Sequence, residues 1–77
     1  MANEVVHSHS TYDVIELIGT SRTSWEDAAK NVVEVAAKHL RELRVAEVVK
    51  KDLVVRDGKV EAYRTKLKLS FKYEARG

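Results

Sequence analysis

With 77 residues, no cysteine and no proline, the chain has room for one domain and no covalent staple to hold it. Fourteen basic residues against twelve acidic ones leave a formal net charge of +2, too small to imply nucleic acid by itself, while 44% apolar and 34% charged residues exclude a disordered body. No apolar run approaches the roughly 20 residues that span a bilayer, and Met1-Ala2-Asn3-Glu4 lacks the basic and apolar regions of a signal peptide, so a soluble, cytoplasmic protein with no membrane partner is expected.

Residues 1–10 are polar, carry His7 and His9 and show no period, which reads as a flexible N-terminal arm before a single domain over 11–74 and a short tail at 75–77. Two alternating imidazoles in such an arm fall short of a metal site. Tyr12-Asp13-Val14-Ile15-Glu16-Leu17-Ile18 is rich in β-branched and aromatic residues and reads as a first strand, with Gly19 supplying the freedom to turn. Thr23-Ser24-Trp25-Glu26 has the form of a capping box, in which the Thr23 hydroxyl accepts from the Glu26 amide and the Glu26 carboxylate reaches back. In the helix that follows, Trp25, Ala29, Val32, Ala36, Leu40 and Leu43 recur at three- and four-residue steps, opposite Asp27, Lys30, Asn31, Glu34, Lys38 and Arg41. Acids lead and bases trail, and His39 falls near the helix end, as the helix dipole favours. Val33, Val35 and Ala37 widen the apolar sector beyond the needs of one sheet face and predict a subunit contact.

Residues 45–55 read as a second strand, Asp57-Gly58 as a two-residue hairpin turn, and residues 60–73 as a long third strand. The tight turn sets Val48 opposite Leu67, Ala46 opposite Leu69, Glu47 opposite Lys68 and Asp52 opposite Tyr63. With Phe71 and Tyr73, the pairs Val48 with Leu67, Ala46 with Leu69 and Asp52 with Tyr63 make the face that the helix covers. A strand, helix, strand, strand order in a fully antiparallel sheet requires the third strand in the middle, which gives the order 2-3-1. The predicted class is therefore α+β, a β-α-β-β subunit with a three-stranded antiparallel sheet on one helix. Its second face carries Val45, Glu47, Val49 and Lys51 from one strand and Ala62, Arg64, Lys66, Lys68 and Lys72 from the other. One helix cannot cover both faces, so solvent, a ligand or another subunit must meet this one.

Three spaced blocks, Ile18-Gly19-Thr20-Ser21, Leu43-Arg44-Val45-Ala46-Glu47-Val48-Val49 and Tyr63-Arg64-Thr65-Lys66-Leu67-Lys68-Leu69-Ser70-Phe71, give the chain its family likeness. From Tyr12 to Glu74 it resembles the dodecins, small proteins that assemble twelve copies into a hollow shell, typically to bind flavins. The resemblance implies a homododecamer that is not an enzyme and that binds or sequesters a small ligand. Flavin-binding dodecins stack a tryptophan on the isoalloxazine ring and hydrogen-bond its polar edge with a glutamine; the matching positions here are Val45 and Arg64. Arg44, Val45, Glu47 and Arg64 are thus the candidate ligand-binding residues. Riboflavin or FMN is expected to bind more weakly than in tryptophan-bearing relatives, because valine offers no flat π surface. Arg64 still brings a fork suited to stacking or to a phosphate. Val45 and Arg64 lie roughly 20 Å apart along the hairpin at about 3.3 Å per residue, so a pocket using both must be shared between subunits.

The Arg44-Val45-Ala46 run in place of the tryptophan also resembles a dodecin branch associated with calcium. Calcium needs six to eight oxygen ligands and no EF-hand loop is present, so carboxylates would have to converge from several subunits. Glu16, Glu47 and Asp52 are the candidates, against the plainer reading of each as a solvated or salt-bridged acid. Trp25, on the apolar side of the helix, reads as packing rather than as a displaced stacker. The basic row Arg64, Lys66, Lys68 and Lys72 raises the rival reading of a small RNA-binding sheet, which the lack of aromatics on that face disfavours. A scaffold without a small ligand is a further alternative. No nucleophile elbow, Ser-His-Asp order or glycine-rich phosphate loop occurs, so no catalytic residue is predicted.

Overall fold

A computed structural model describes residues 11–73. The predicted arm, its His7 and His9, and the tail lie outside the described residues. Strand β1 (Thr11–Ser21), helix α1 (Trp25–Ala37), strand β2 (Leu43–Arg56) and strand β3 (Lys59–Tyr73) follow in that order. All pairing is antiparallel with β3 in the middle, which is the predicted 2-3-1 arrangement. Asp57 and Gly58 take φ of 54° and 72°, as a two-residue hairpin turn that follows the twist of its strands requires.

Gly19 does not end β1, which continues to Ser21. The glycine is needed for close approach instead. A Cβ there would stand 2.3 Å from Val32 Cγ2 and 2.5 Å from the Ala28 carbonyl oxygen, so its absence lets α1 lie directly on the strand. Gly19→Ala is expected to cost about 1–3 kcal/mol through overpacking. Urea unfolding at fixed protein concentration would read the loss, and an unchanged midpoint would contradict the tight crossing.

The helix cap sits one residue later than predicted. Ser24 is the N-cap, and its hydroxyl accepts from the Asp27 amide at 2.9 Å. Ser21 supports this corner: its hydroxyl donates to Asp27 Oδ2 at 2.8 Å and accepts from the Thr23 amide at 2.9 Å. Glu26 and Asp27 place acids in the first turn, but α1 ends at Ala37 with no base in its last turn. Lys38 and His39 lie in the turn beyond, where the His39 and Leu40 amides both donate to the Ala36 carbonyl. Leu40 and Leu43, which continue the apolar period on paper, therefore reach the core from a turn and from the start of β2.

Ala28, Val32 and Ala36 are the buried face of the helix, against Leu67 and Leu69 of β3, with Ile15, Ala29, Val33, Leu40 and Leu43 at the margin. Thr65 is fully buried too and donates its hydroxyl hydrogen to the Trp25 carbonyl at 2.9 Å. The predicted pairs Val48 with Leu67 and Ala46 with Leu69 are present, but Ala46 and Val48 remain exposed, because a 13-residue helix crosses β1 and β3 and leaves most of β2 uncovered. Trp25 is the exception. Its indole N–H donates to the Asp52 carbonyl at 3.0 Å and its ring meets Tyr63 edge-on at 5.2 Å, tying the start of α1 to β2. Val35 and Ala37, predicted to widen the apolar sector, are exposed.

Candidate functional site

The face of the sheet away from α1 is organised as cross-strand rungs, each with a residue from β1, β3 and β2 in turn. Val14, Ser70 and Val45 make one, followed by Glu16, Lys68 and Glu47, then Ile18, Lys66 and Lys50, then Thr20, Arg64 and Asp52. This is the predicted second face, with two corrections on β2. The hairpin register holds as predicted at Val55 and Arg56 beside the turn and again from Val45 to Val48, and is displaced by one residue from Lys50 to Val54 between two shifts. A β-bulge of this kind reverses the side-chain alternation beyond it. Asp52 consequently leaves the helix side, where it was expected opposite Tyr63, and stands opposite Arg64; Leu53 takes the place beside Tyr63. Lys51 makes the reverse move and pairs with Thr65, bringing its ammonium 5.7 Å from the centre of the Trp25 ring. Val49 is the residue left over at the bulge.

The bulge exchanges one like-charge juxtaposition for another, since it sets Lys50 opposite Lys66, itself paired with Glu16, but it gives Arg64 an acid. In the unshifted register Lys51 would oppose Arg64, and like charges directly across a ladder destabilise it. In the shifted one Arg64 Nε donates to Asp52 Oδ1 at 2.7 Å and Nη2 donates to Oδ2 at 2.8 Å, a two-pronged pair. The guanidinium holds the Asp52 carboxyl below its ordinary range, chiefly through these hydrogen bonds, and the same bonds raise the Arg64 pKa.

Every predicted acid is accounted for on this face. Glu16 pairs with Lys66 at 3.2 Å, Glu47 lies opposite Lys68, and Asp52 is forked by Arg64. Glu16 and Glu47 flank Lys68 on one rung, so two of the three candidate metal ligands are brought to the same level of the sheet. No group of three or more His, Asp or Glu side chains that could hold a metal ion occurs among the described residues of one subunit.

Val45 is exposed on the same face, three rungs from Arg64, so the expected separation of roughly 20 Å stands. Arg44 falls at a register shift between Leu43 and Val45, and its guanidinium donates to Glu42 Oε1 at 2.5 Å. That bond lowers the Glu42 pKa and raises that of Arg44. Glu42 itself has a φ of 58°, in the left-handed region like Asp57. Lys50 and Tyr12 join the face without having been predicted on it. Lys50 arrives through the bulge, and Tyr12, opposite Lys72 and 48% exposed, is an aromatic where none was expected. Tyr12 was legible: strict alternation from the buried-side Ile15 assigns it to the outer face.

Residues 11–74 match the family model described as Dodecin. The chain belongs to the dodecin family. It is 46% identical over 63 residues, covering 82% of this chain and 89% of the relative, to the calcium dodecin of Mycobacterium tuberculosis. The crystal structure of that organism's calcium-chelating immunodominant antigen, calcium dodecin, with a novel calcium-binding site, superimposes with a TM-score of 0.76 at 45% identity, covering 88% of this chain and 97% of that one. The dodecin from Streptomyces coelicolor superimposes with a TM-score of 0.83 at 36% identity, covering 90% and 99%. The dodecin fold, and the likeness to the calcium-associated branch drawn from Arg44-Val45-Ala46, are thus established.

Proposed function

We propose that this chain is the non-catalytic subunit of a closed cytoplasmic shell, twelve copies strong, that binds or sequesters a small ligand, with calcium as the first candidate. One observation carries the shell: the outer face presents Val14, Ile18 and Val45, each more than half exposed, between rungs of charge, and none of the described residues of one subunit covers them. A mixed face of this breadth on a small domain favours burial against further copies, since the domain's own core is thin. The calcium reading is supported by the calcium dodecin relative and by Glu16 and Glu47 lying on one rung. Because one subunit supplies too few oxygens, the ion's six to eight ligands would be gathered where symmetry-related copies meet.

Light scattering at micromolar protein should return a mass near twelve subunits, and a stable monomer would overturn the shell. Calcium should raise the melting temperature by mass action, and Glu47→Gln should abolish that rise. A calcium-insensitive melting temperature in the unmodified protein would remove the ion from this reading and leave the shell intact.

Flavin is the second reading, resting on family membership, with Val45 in place of the stacking tryptophan as the reason for weak binding. RNA has little support. The aromatic on this face is Tyr12, at its margin, and Arg64 and Lys66 of the basic row are paired with acids.

A further inference from the structure

Among the four rungs of the outer face that join all three strands Arg64 is the one planar, multi-donor cation; Lys50, Lys66 and Lys68 beside it are point charges. A guanidinium is the side chain best suited to grip a phosphate or carboxylate through two parallel hydrogen bonds. Here both prongs are already used within the subunit, on the carboxylate that the bulge carries across from the helix side. The pair is anchored on both strands: Asp52 and Arg64 are direct ladder partners, and the Asp52 carbonyl also receives the Trp25 indole N–H. The carboxylate is therefore held in place from the backbone outward.

We propose that Asp52 is a specificity-determining residue of this face: by occupying the Arg64 fork it denies the face its grip on phosphate-bearing ligands and biases it toward cations and uncharged ligands. The inference rests on the reading of the outer face as the ligand face. Physically, an incoming phosphate must displace a carboxylate that is already bound at 2.7 and 2.8 Å, and it meets the negative charge of that carboxylate as it does so. Removing the charge of Asp52 frees two donors and removes the repulsion together.

The test compares FMN with riboflavin, which share a ring system and differ in the phosphate, by quenching of flavin fluorescence on assembled protein. Asp52→Asn and, as a second variant, Asp52→Ala should bind FMN about fivefold more tightly than the unmodified chain, the upper end for release of an exposed ion pair, while riboflavin changes by less than about twofold. Asp52→Asn combined with Arg64→Lys keeps the net charge of the single variant but has no fork, and should lose the gain. Unchanged FMN affinity in both single variants, or an equal gain for riboflavin, would overturn the proposal. A gain that persists with Arg64→Lys would overturn it as well, since net charge alone would then be responsible. Failure of the outer-face reading is separable: Val45→Trp would then leave riboflavin binding unchanged, whereas failure of the Asp52 inference alone leaves that response in place.

Discussion

Leu69→Ala is expected to cost about 2–5 kcal/mol, the range for truncating a buried leucine whose surroundings cannot close over the gap. Leu69 is fully buried in the central strand, with Ile15 and Ala46 as its ladder neighbours and Val32 and Ala36 of the helix in the same core cluster. None of these can relax inward easily. Val32, Ala36 and Ala46 are short, and the strand backbones on either side are fixed by their ladders. Because the buried apolar core among the described residues is Ala28, Val32, Ala36, Leu67 and Leu69, one such truncation removes a large share of what holds the helix to the sheet. Urea unfolding at fixed protein concentration should show a lower midpoint with little change in slope, the fixed concentration being needed because assembly itself contributes to stability. A loss below about 1 kcal/mol would mean that contacts between copies, rather than this layer, dominate the stability.

The order of strands and the hairpin were legible because each rests on a strong local signal. Asp57-Gly58 is a turn pair that tolerates left-handed backbone at both positions, and it fixes Arg56 opposite Lys59; Val48 meets Leu67 as expected because the register shifts at Val54/Val55 and at Val48/Lys50 cancel. The register beyond that pair was not legible. Val48-Val49-Lys50-Lys51 has no alternation of apolar and polar residues, so nothing in the pattern holds the phase of the strand, and the bulge that moves Asp52 to the outer face leaves no mark of its own. The one available sign was electrostatic: only the shifted register sets Asp52 opposite Arg64. Helix length was obscured for a different reason. Leu40 and Leu43 keep the helical period in the sequence because they serve the same core as Val32 and Ala36, although the chain has already turned at Lys38. Gly19 shows the same ambiguity in miniature: a glycine after an apolar strand reads as a turn, and only the position of Ala28 and Val32 shows that it is a packing contact.

On the outer face the consequence is that charge is largely spent within the subunit. Arg64 is held by Asp52, Lys66 by Glu16, and Lys68 lies between two glutamates. Exposed pairs of this kind contribute little to stability, with a median near 0–1 kcal/mol, so their consequence lies in what they leave available to a ligand. Among the described residues of this face the apolar positions that remain open are Val14, Ile18 and Val45. Binding by this face should therefore respond more to a change of contact area than to a change of a single charge.

Val45→Trp should accordingly strengthen riboflavin binding by roughly 5- to 150-fold, the range that corresponds to about 1–3 kcal/mol of stacking per ring. Val45 is 55% exposed, opposite Ser70 and on the same rung as Val14, so the larger side chain meets small neighbours within its own subunit and needs no rearrangement of the sheet. The indole would lie over an apolar step of the face, away from the Asp52 and Arg64 pair three rungs distant, which is why an uncharged flavin is the right probe. Valine contributes a small contact area and no planar π surface, so the gain measures stacking together with the added contact area. Quenching of riboflavin fluorescence on titration with each protein gives the two dissociation constants directly, with light scattering confirming that both variants have the same assembly size. Tight riboflavin binding by the unmodified chain that does not change on substitution would place the flavin elsewhere on the molecule. Loss of assembly in Val45→Trp would instead show that position 45 is packed against another copy, with no space left for a ring.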